Sequence, residues 1–303
     1  MFVDWPDHSE WGFGKETLFA EHNISQSNLF SDDGLAHLLD AYPRENLDIW
    51  AFTEQCEGQS PTLRGRAPKM SGQDIVEAVK NGKIWLNLRR AGDELFDLKH
   101  ISETIFDSLE AATRRKTMKQ DMGLLISSPN VEVNYHLDIP LVALFQLRGE
   151  KRIWLYPRSE DLAPSSYIED IVHMTREEEL PYRAAFDDLA DMHDLTPGMG
   201  LTWPQWAPHR VRNADCVNVS LSCEFMTWNA LVNANAAYTS GLMRQSLNIA
   251  PKLSGELGPL TVAKAAFAQI HKTLSGRGPR LSPTPVTFEL DVTRENCVKP
   301  LWA

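Results

Sequence analysis

The 303-residue sequence predicts a single, mainly β domain with helical additions at both ends. Three observations carry this expectation. Val131, Val133, Tyr135 and Leu137 alternate with Glu132, Asn134, His136 and Asp138, the period of two that marks a half-buried strand. Leu141 to Leu147 is an apolar run broken only by Gln146, and 217–225 (VNVSLSCEF) alternates again. Towards both ends of the chain, apolar residues recur instead at helical spacing. The expected division is a β core over about 123–226, an N-terminal α/β extension over 1–122 and a C-terminal helical extension over 227–303.

The elements follow in order. Residues 1–14, rich in Trp and Phe with acids between, read as an arm packed on the body. Ser31, Asp32 and Asp33 form an N-cap cluster ahead of Leu35, Leu38 and Leu39, and Pro43 ends that helix. Residues 46–53 read as a strand and 55–69 as a loop. Ser71 caps a helix over 73–80, and 83–89 (KIWLNLR) is a strand with Trp85, Asn87 and Arg89 on one face. A long amphipathic helix is expected over 101–118, its basic end at Arg114, Arg115 and Lys116 suiting the helix dipole. The acidic stretch 159–179 carries short helical signals and a solvated His173. Residues 182–194 read as helical and then extended. Two helices over 228–247 and 260–274 precede a late strand over 284–292.

Composition excludes several classes. A net charge of −11 argues against a nucleic-acid surface, whose affinity rests on basic contacts with phosphate. No apolar run approaches membrane-spanning length. The start lacks a basic, then apolar, signal segment. Cys56, Cys216, Cys223 and Cys297 are scattered, with no C-x-x-C pair, which fits a reducing cytoplasm.

The chemistry lies in the first strand and in a distant stretch, 201–213 (LTWPQWAPHRVRN). His136 and Asp138, two apart on a strand, project to one face. They are two of the three ligands of a 2-His-1-carboxylate site, which keeps open positions on Fe(II). His209, at the start of a later strand pair, is the third ligand such a site needs. Alone, each of these residues also reads as an ordinary hydrogen-bonded side chain. His193 and Asp194 are adjacent, fall on opposite strand faces and stay outside the site. The turn Arg148-Gly149-Glu150-Lys151 brings Lys151 close to where a further charged group would sit. Trp203 and Trp206 flank the approach to His209, either as a wall that excludes water or as rim packing.

H-x-D at 136–138, Q-x-x-G-x-K from Gln146 to Lys151 with Leu155 and Pro157 beyond it, P-G at 197–198 and P-x-x-x-x-H at 204–209 together resemble the JmjC branch of the cupin superfamily, nearest its asparaginyl-hydroxylase-like members. The resemblance covers 124–225. It implies a double-stranded β-helix, Fe(II) held by His136, Asp138 and His209, and 2-oxoglutarate held through Lys151, with Arg152 the alternative cation. Gln146 and Gly149 match framework positions, and Asn134 and Gln146 are candidates for contact with the cosubstrate. Val133 and Val142 stand where those hydroxylases carry Thr and Asn. The likeness also implies that the face of Trp85, Asn87 and Arg89 helps line the pocket, and that the C-terminal helices support a homodimer.

The expected activity is hydroxylation of a protein or peptide side chain or a small molecule, with succinate and CO2 as coproducts. Two alternatives stand beside it: a metal-binding cupin enzyme that does not use 2-oxoglutarate, and a non-catalytic binding or regulatory module.

Overall fold

Two β-sheets face one another across an apolar interior in the computed structural model, which describes residues 1–303 apart from 8–11, 53–61, 68, 250, 252, 254, 276–280 and 303. The strands are β1 Val3–Asp4, β2 Leu18–His22, β3 Leu47–Phe52, β4 Thr62–Arg66, β5 Ile84–Leu88, β6 Met118–Ser127, β7 Glu132–His136, β8 Leu141–Arg148, β9 Lys151–Leu155, β10 Asp191–Leu195, β11 Met199–Thr202, β12 His209–Asn213, β13 Asn218–Met226, β14 Val286–Leu290 and β15 Val298–Pro300. The major sheet has eleven strands in the order β1-β2-β11-β8-β13-β6-β5-β3-β4-β14-β15, and the minor sheet has four, β10-β9-β12-β7.

Strand β8 shows why the sheets stack. It is a central strand covered on both faces, so it reads as one apolar run rather than an alternation. Val142 and Leu144 meet Ile153, Leu155, Leu195 and Val211 of the minor sheet in the interior. Ala143 and Phe145 turn the other way, into the cluster shared with the helices.

Those helices are α1 Asp32–Ala41, α2 Gly72–Asn81, α3 Phe96–Thr113, α4 Ser165–Val172, α5 Trp228–Leu247 and α6 Pro259–Leu274. Ser31 caps α1 and Ser71 caps α2, each hydroxyl accepting from the backbone N–H three residues on, at 3.2 and 3.1 Å. Thr227 caps α5 in the same way.

Several expectations need correction. The long helix runs over Phe96–Thr113, not 101–118: Arg114 adopts a left-handed conformation (φ 52°), and the basic residues after it lead into β6. Within the expected loop over 55–69, residues 55–61 and 68 lie outside the described residues, but 62–66 form β4. Strand β2 was not expected. It pairs with β11 and joins the N-terminal segment to the major sheet. Lys151 is the first residue of β9 rather than part of the turn. His173 is not solvated: its ring stacks on Tyr238 at 4.1 Å, and Nε2 lies 2.8 Å from the Tyr238 carbonyl.

Candidate metal centre

The minor sheet builds the site. Strand β12 lies between β7 and β9, so His209 has His136 on one side and Leu155 on the other. His136 is the last residue of β7, and Asp138 follows just beyond the strand end. One nitrogen from each imidazole and one carboxylate oxygen of Asp138 lie within 4.8 Å of one another. The two rings are 4.1 Å apart, and His209 Nε2 is 3.4 Å from Asp138 Oδ2.

Hydrogen bonds orient both rings. His136 Nδ1 donates to the Asn134 carbonyl at 2.6 Å, and His209 Nδ1 donates to that of Ala207 at 3.3 Å. Each ring therefore keeps Nε2 for the pocket, the arrangement in which a backbone acceptor fixes the tautomer of a metal-binding histidine. Burial holds the His209 pKa well below 6.5, helped by the neighbouring His136, so the imidazole is neutral and able to ligate. Burial pushes the Asp138 carboxyl up, against the opposing pull of His136. A buried carboxyl that resists ionisation and two imidazole nitrogens aimed at one point fit a divalent cation, whose charge would favour the carboxylate.

Lys151 lies on the same inner wall, on β9, and is 7% exposed. Among the described residues none gives its ammonium a hydrogen bond or ion pair, and burial pulls its pKa down to about 8. From Lys151 to Leu155, the level of His209, is about 13 Å of strand, a gap that a lysine side chain and a five-carbon diacid can bridge together. An unneutralised buried ammonium facing a metal-type site fits an anionic ligand. Arg152, the alternative cation, points outward and is paired with Asp194 at 2.6 Å.

The other candidates separate. Gln146 is fully buried, and its amide is committed to the turn and to β13: it donates to the Arg148 and Gly149 carbonyls and to Asn218, and accepts from Ser220. Asn134 donates to Glu179 at 2.9 Å. Gln146 thus braces the turn ahead of β9, and Asn134 is tied to Glu179. Trp203 packs against His209, with ring centres 4.7 Å apart, and belongs to the interior cluster. Trp206 does not form the wall. It packs in the cluster behind the minor sheet, under the Arg158 guanidinium at 4.7 Å.

Trp85, Asn87 and Arg89 lie opposite or beside β6 residues of the inner face, and the Asn87 Oδ1 is buried without a partner. Arg89 is 3.7 Å from Asp48, and its charge acts on Glu178 and Glu224.

Sequence reasoning missed those two acids. Glu224, on β13, is half-buried, and desolvation followed by Asp138 and Asp121 pushes its pKa to about 7. Glu178 is exposed to solvent yet crowded by surrounding protein. Desolvation, then Asp138 and Glu224, push it to about 8. Neither acid stands in a local pattern with the H-x-D pair, and only the tertiary fold brings them together.

Two facing sheets with a 2-His-1-carboxylate cluster on the inner wall define a β fold with a candidate metal site. No protein-family model matches the chain, and no curated protein matches it in sequence. Solved structures similar to it include Escherichia coli YcfD, at 17% identity and a TM-score of 0.47, over 90% of this chain and 70% of that one. A second is YcfD, described as a ribosomal oxygenase, in complex with cobalt and 2-oxoglutarate, at 16% identity and a TM-score of 0.46, over 90% and 68%. A third, over 35% of this chain and 38% of that one, is the DMSP lyase DddQ from Ruegeria pomeroyi, at 13% identity and a TM-score of 0.24.

Proposed function

We propose that the chain is an Fe(II)- and 2-oxoglutarate-dependent oxygenase on a double-stranded β-helix, hydroxylating a protein or peptide side chain or a small molecule. The observation that carries this reading is the convergence of His136, Asp138 and His209 on the wall that also holds the buried Lys151. Bound there, ferrous iron and 2-oxoglutarate would supply an oxidant able to place an oxygen atom in a C–H bond, with succinate and CO2 as coproducts. The protein's own part is positional. The two imidazoles and the carboxylate would hold the metal and leave positions on it for the cosubstrate. Lys151 holds the far carboxylate of the cosubstrate by a charge-assisted contact. Trp203 shields the His209 side from water.

The test is an anaerobic titration of the Fe(II) protein with 2-oxoglutarate. A saturable visible band from chelation of the metal by the 2-oxo acid is the expected result. Iron bound with no band would favour a cupin chemistry without 2-oxoglutarate, for which Val133 and Val142 leave room. No iron bound would favour a binding module.

We also propose a cytoplasmic location. Cys216, Cys223 and Cys297 are unbridged, while Cys56 lies outside the described residues. Among the described residues no helix is long and apolar enough to cross a membrane.

A homodimer through α6 is a further proposal. Leu260, Phe267, Ile270 and Leu274 form an exposed apolar seam. Both lysines of the helix turn inward, Lys264 to Ser240 and Lys272 to Asn235. An uncharged face is where two copies of a strongly acidic chain can meet without repulsion. Light scattering is expected to give twice the chain mass for the native protein and one chain mass for Ile270→Glu. A native mass of one chain would remove the dimer.

A further inference from the structure

A cavity of about 170 Å³ opens on the helical side of the major sheet, between the N-terminal arm at Phe13 to Lys15, the end of α3, the first turns of α5 and the loop at Gly255. Leu141 of β8 lines it and packs in the cluster shared with the helices. The metal centre belongs to the other face of that sheet, where Val142 and Leu144 meet the minor sheet.

A relay of amides fixes the chemistry of the inner end. Gln205 Nε2 donates to the Ile139 and Ala230 carbonyls at 3.1 and 3.2 Å. Those two acceptors settle which way the Gln205 amide is turned, and its Oε1 is left to accept from Asn233 Nδ2 at 3.5 Å. Asn233 Nδ2 also donates to the Gly255 carbonyl at 2.9 Å. Turning the Asn233 amide over would set its oxygen against two oxygens, so its orientation is settled too. Asn233 lines the cavity and is 8% exposed, and its Oδ1 is buried with no hydrogen-bond partner among the described residues. A buried acceptor of this kind calls for a donor.

The outer end has the opposite preference. Thr227 caps α5 by accepting the Ala230 N–H on its hydroxyl and the Leu231 N–H on its carbonyl. The N–H groups of Trp228 and Asn229 find no partner among the described residues, at the positive end of a 20-residue helix. Asn229 lines the cavity, as do Lys15 and Arg115, two exposed cations with no ion pair among the described residues. Asn229 and Asn233 are one helical turn apart, about 6 Å along the axis.

We infer that this cavity is a second binding site, for a small zwitterionic α-amino acid, with its carboxylate at the Asn229 N–H between Lys15 and Arg115 and its ammonium on Asn233 Oδ1. An α-amino acid with a hydrogen bond at each end spans that one-turn gap. Glu256, next to the Gly255 carbonyl that Asn233 holds, adds negative charge at the ammonium end. Phe13, Leu141 and Leu257 offer apolar contact to a short side chain. A cavity of this size holds a molecule about as large as benzene, which limits the side chain to a few atoms. A simple anion would leave Asn233 Oδ1 unpaired, and a simple amine would meet two cations.

The test is calorimetric titration of the full-length protein with L-alanine, L-serine and L-valine, beside propionate and propylamine, which carry one end each. At least one of the amino acids is expected to bind with a dissociation constant of about 1 mM or tighter. Each half-molecule is expected to bind at least about tenfold more weakly. Excess 2-oxoglutarate should leave the binding unchanged. Replacing the exposed pair together, Lys15→Gln with Arg115→Gln, is expected to weaken binding by about five- to tenfold, and Asn233→Ala to abolish it. Failure of all three amino acids to bind overturns the site. Native affinity in either variant does the same, and the exposed pair keeps that test open should Asn233→Ala not fold. Propionate that binds as tightly as the best amino acid overturns the zwitterion, and displacement by 2-oxoglutarate moves the binding to the metal centre and overturns the second site.

Discussion

Asp138→Ala is expected to abolish metal binding, with a loss beyond the ~100-fold that removal of an outer partner typically costs. The carboxylate is the only anionic member of the cluster, and it approaches His209 Nε2 at 3.4 Å. Without it, two imidazoles remain, 4.1 Å apart, with no anionic group to offset a dication. The metal-free variant has a second signature. Glu178 and Glu224 are both pushed up in part by Asp138, so both carboxyls should titrate lower once it is gone. Calorimetric titration with Fe(II) or Co(II) reads the first effect, and carboxyl-resolved NMR titration reads the second. Unchanged metal affinity would refute the ligand assignment.

Lys151→Met is expected to weaken 2-oxoglutarate binding by roughly 10- to 100-fold, the worth of a charge-assisted contact, and to stabilise the empty protein. Burial lowers the Lys151 pKa from 10.5 to about 8 in the folded state. The folded chain therefore disfavours the charged form. That cost is fully present below about pH 8 and fades as pH rises towards the unfolded value. It corresponds to roughly 3 kcal/mol at neutral pH. Methionine fills similar space without the charge, so the variant should melt at a higher temperature at pH 7. The advantage should shrink by pH 10. Cosubstrate binding by the native protein should weaken above about pH 8, by up to about tenfold per pH unit, because the ammonium must then be regenerated to bind an anion. The residual binding of Lys151→Met should lack this ammonium-dependent loss, and any fall that remains follows the ionisation of Glu178 and Glu224. Melting curves and titrations at pH 7 and 9 check both halves. A variant that melts lower and still binds 2-oxoglutarate would show that Lys151 is an ordinary packing residue.

The convergence of His136, Asp138 and His209 was legible because the first two stand two apart at a strand end, and because His209 opens a strand of its own. The reason His136 faces inward was not legible. The alternation of 131–138 reads as perfectly regular, whereas the strand carries a bulge. A bulge is a relation between two strands, and a single strand's sequence holds no record of it. The burial of Arg210 was missed for a related reason. No local pattern marks it as buried, and only Glu132, Asp187 and Trp154, from three separate segments, enclose it. Trp203 and Trp206 look equivalent in sequence. They part because Trp206 takes a left-handed backbone conformation (φ 66°) and turns behind the sheet. The helix over Phe96–Thr113 was displaced in the sequence reading because Arg114 to Lys116 suit a helix C-terminus, while in the fold Arg114 already lies past it.

Strand β14 pairs parallel with β4, Val286 beside Arg64, and Phe288 covers Gly65 so closely that a methyl group there would sit 2.2 Å from its ring. During synthesis, some 200 residues must emerge between these two strands before they can meet. Until then the backbone edge of β4 stays open, as an unfinished hem on a sheet otherwise ready to assemble. Long-range pairing of this kind is slow to form and leaves a template for wrong partners in the interval. Arg64 and Arg66 lie on that edge and later find Asp48 and Glu289. Before β14 arrives, their charges discourage a neighbouring nascent chain from adding a strand of its own.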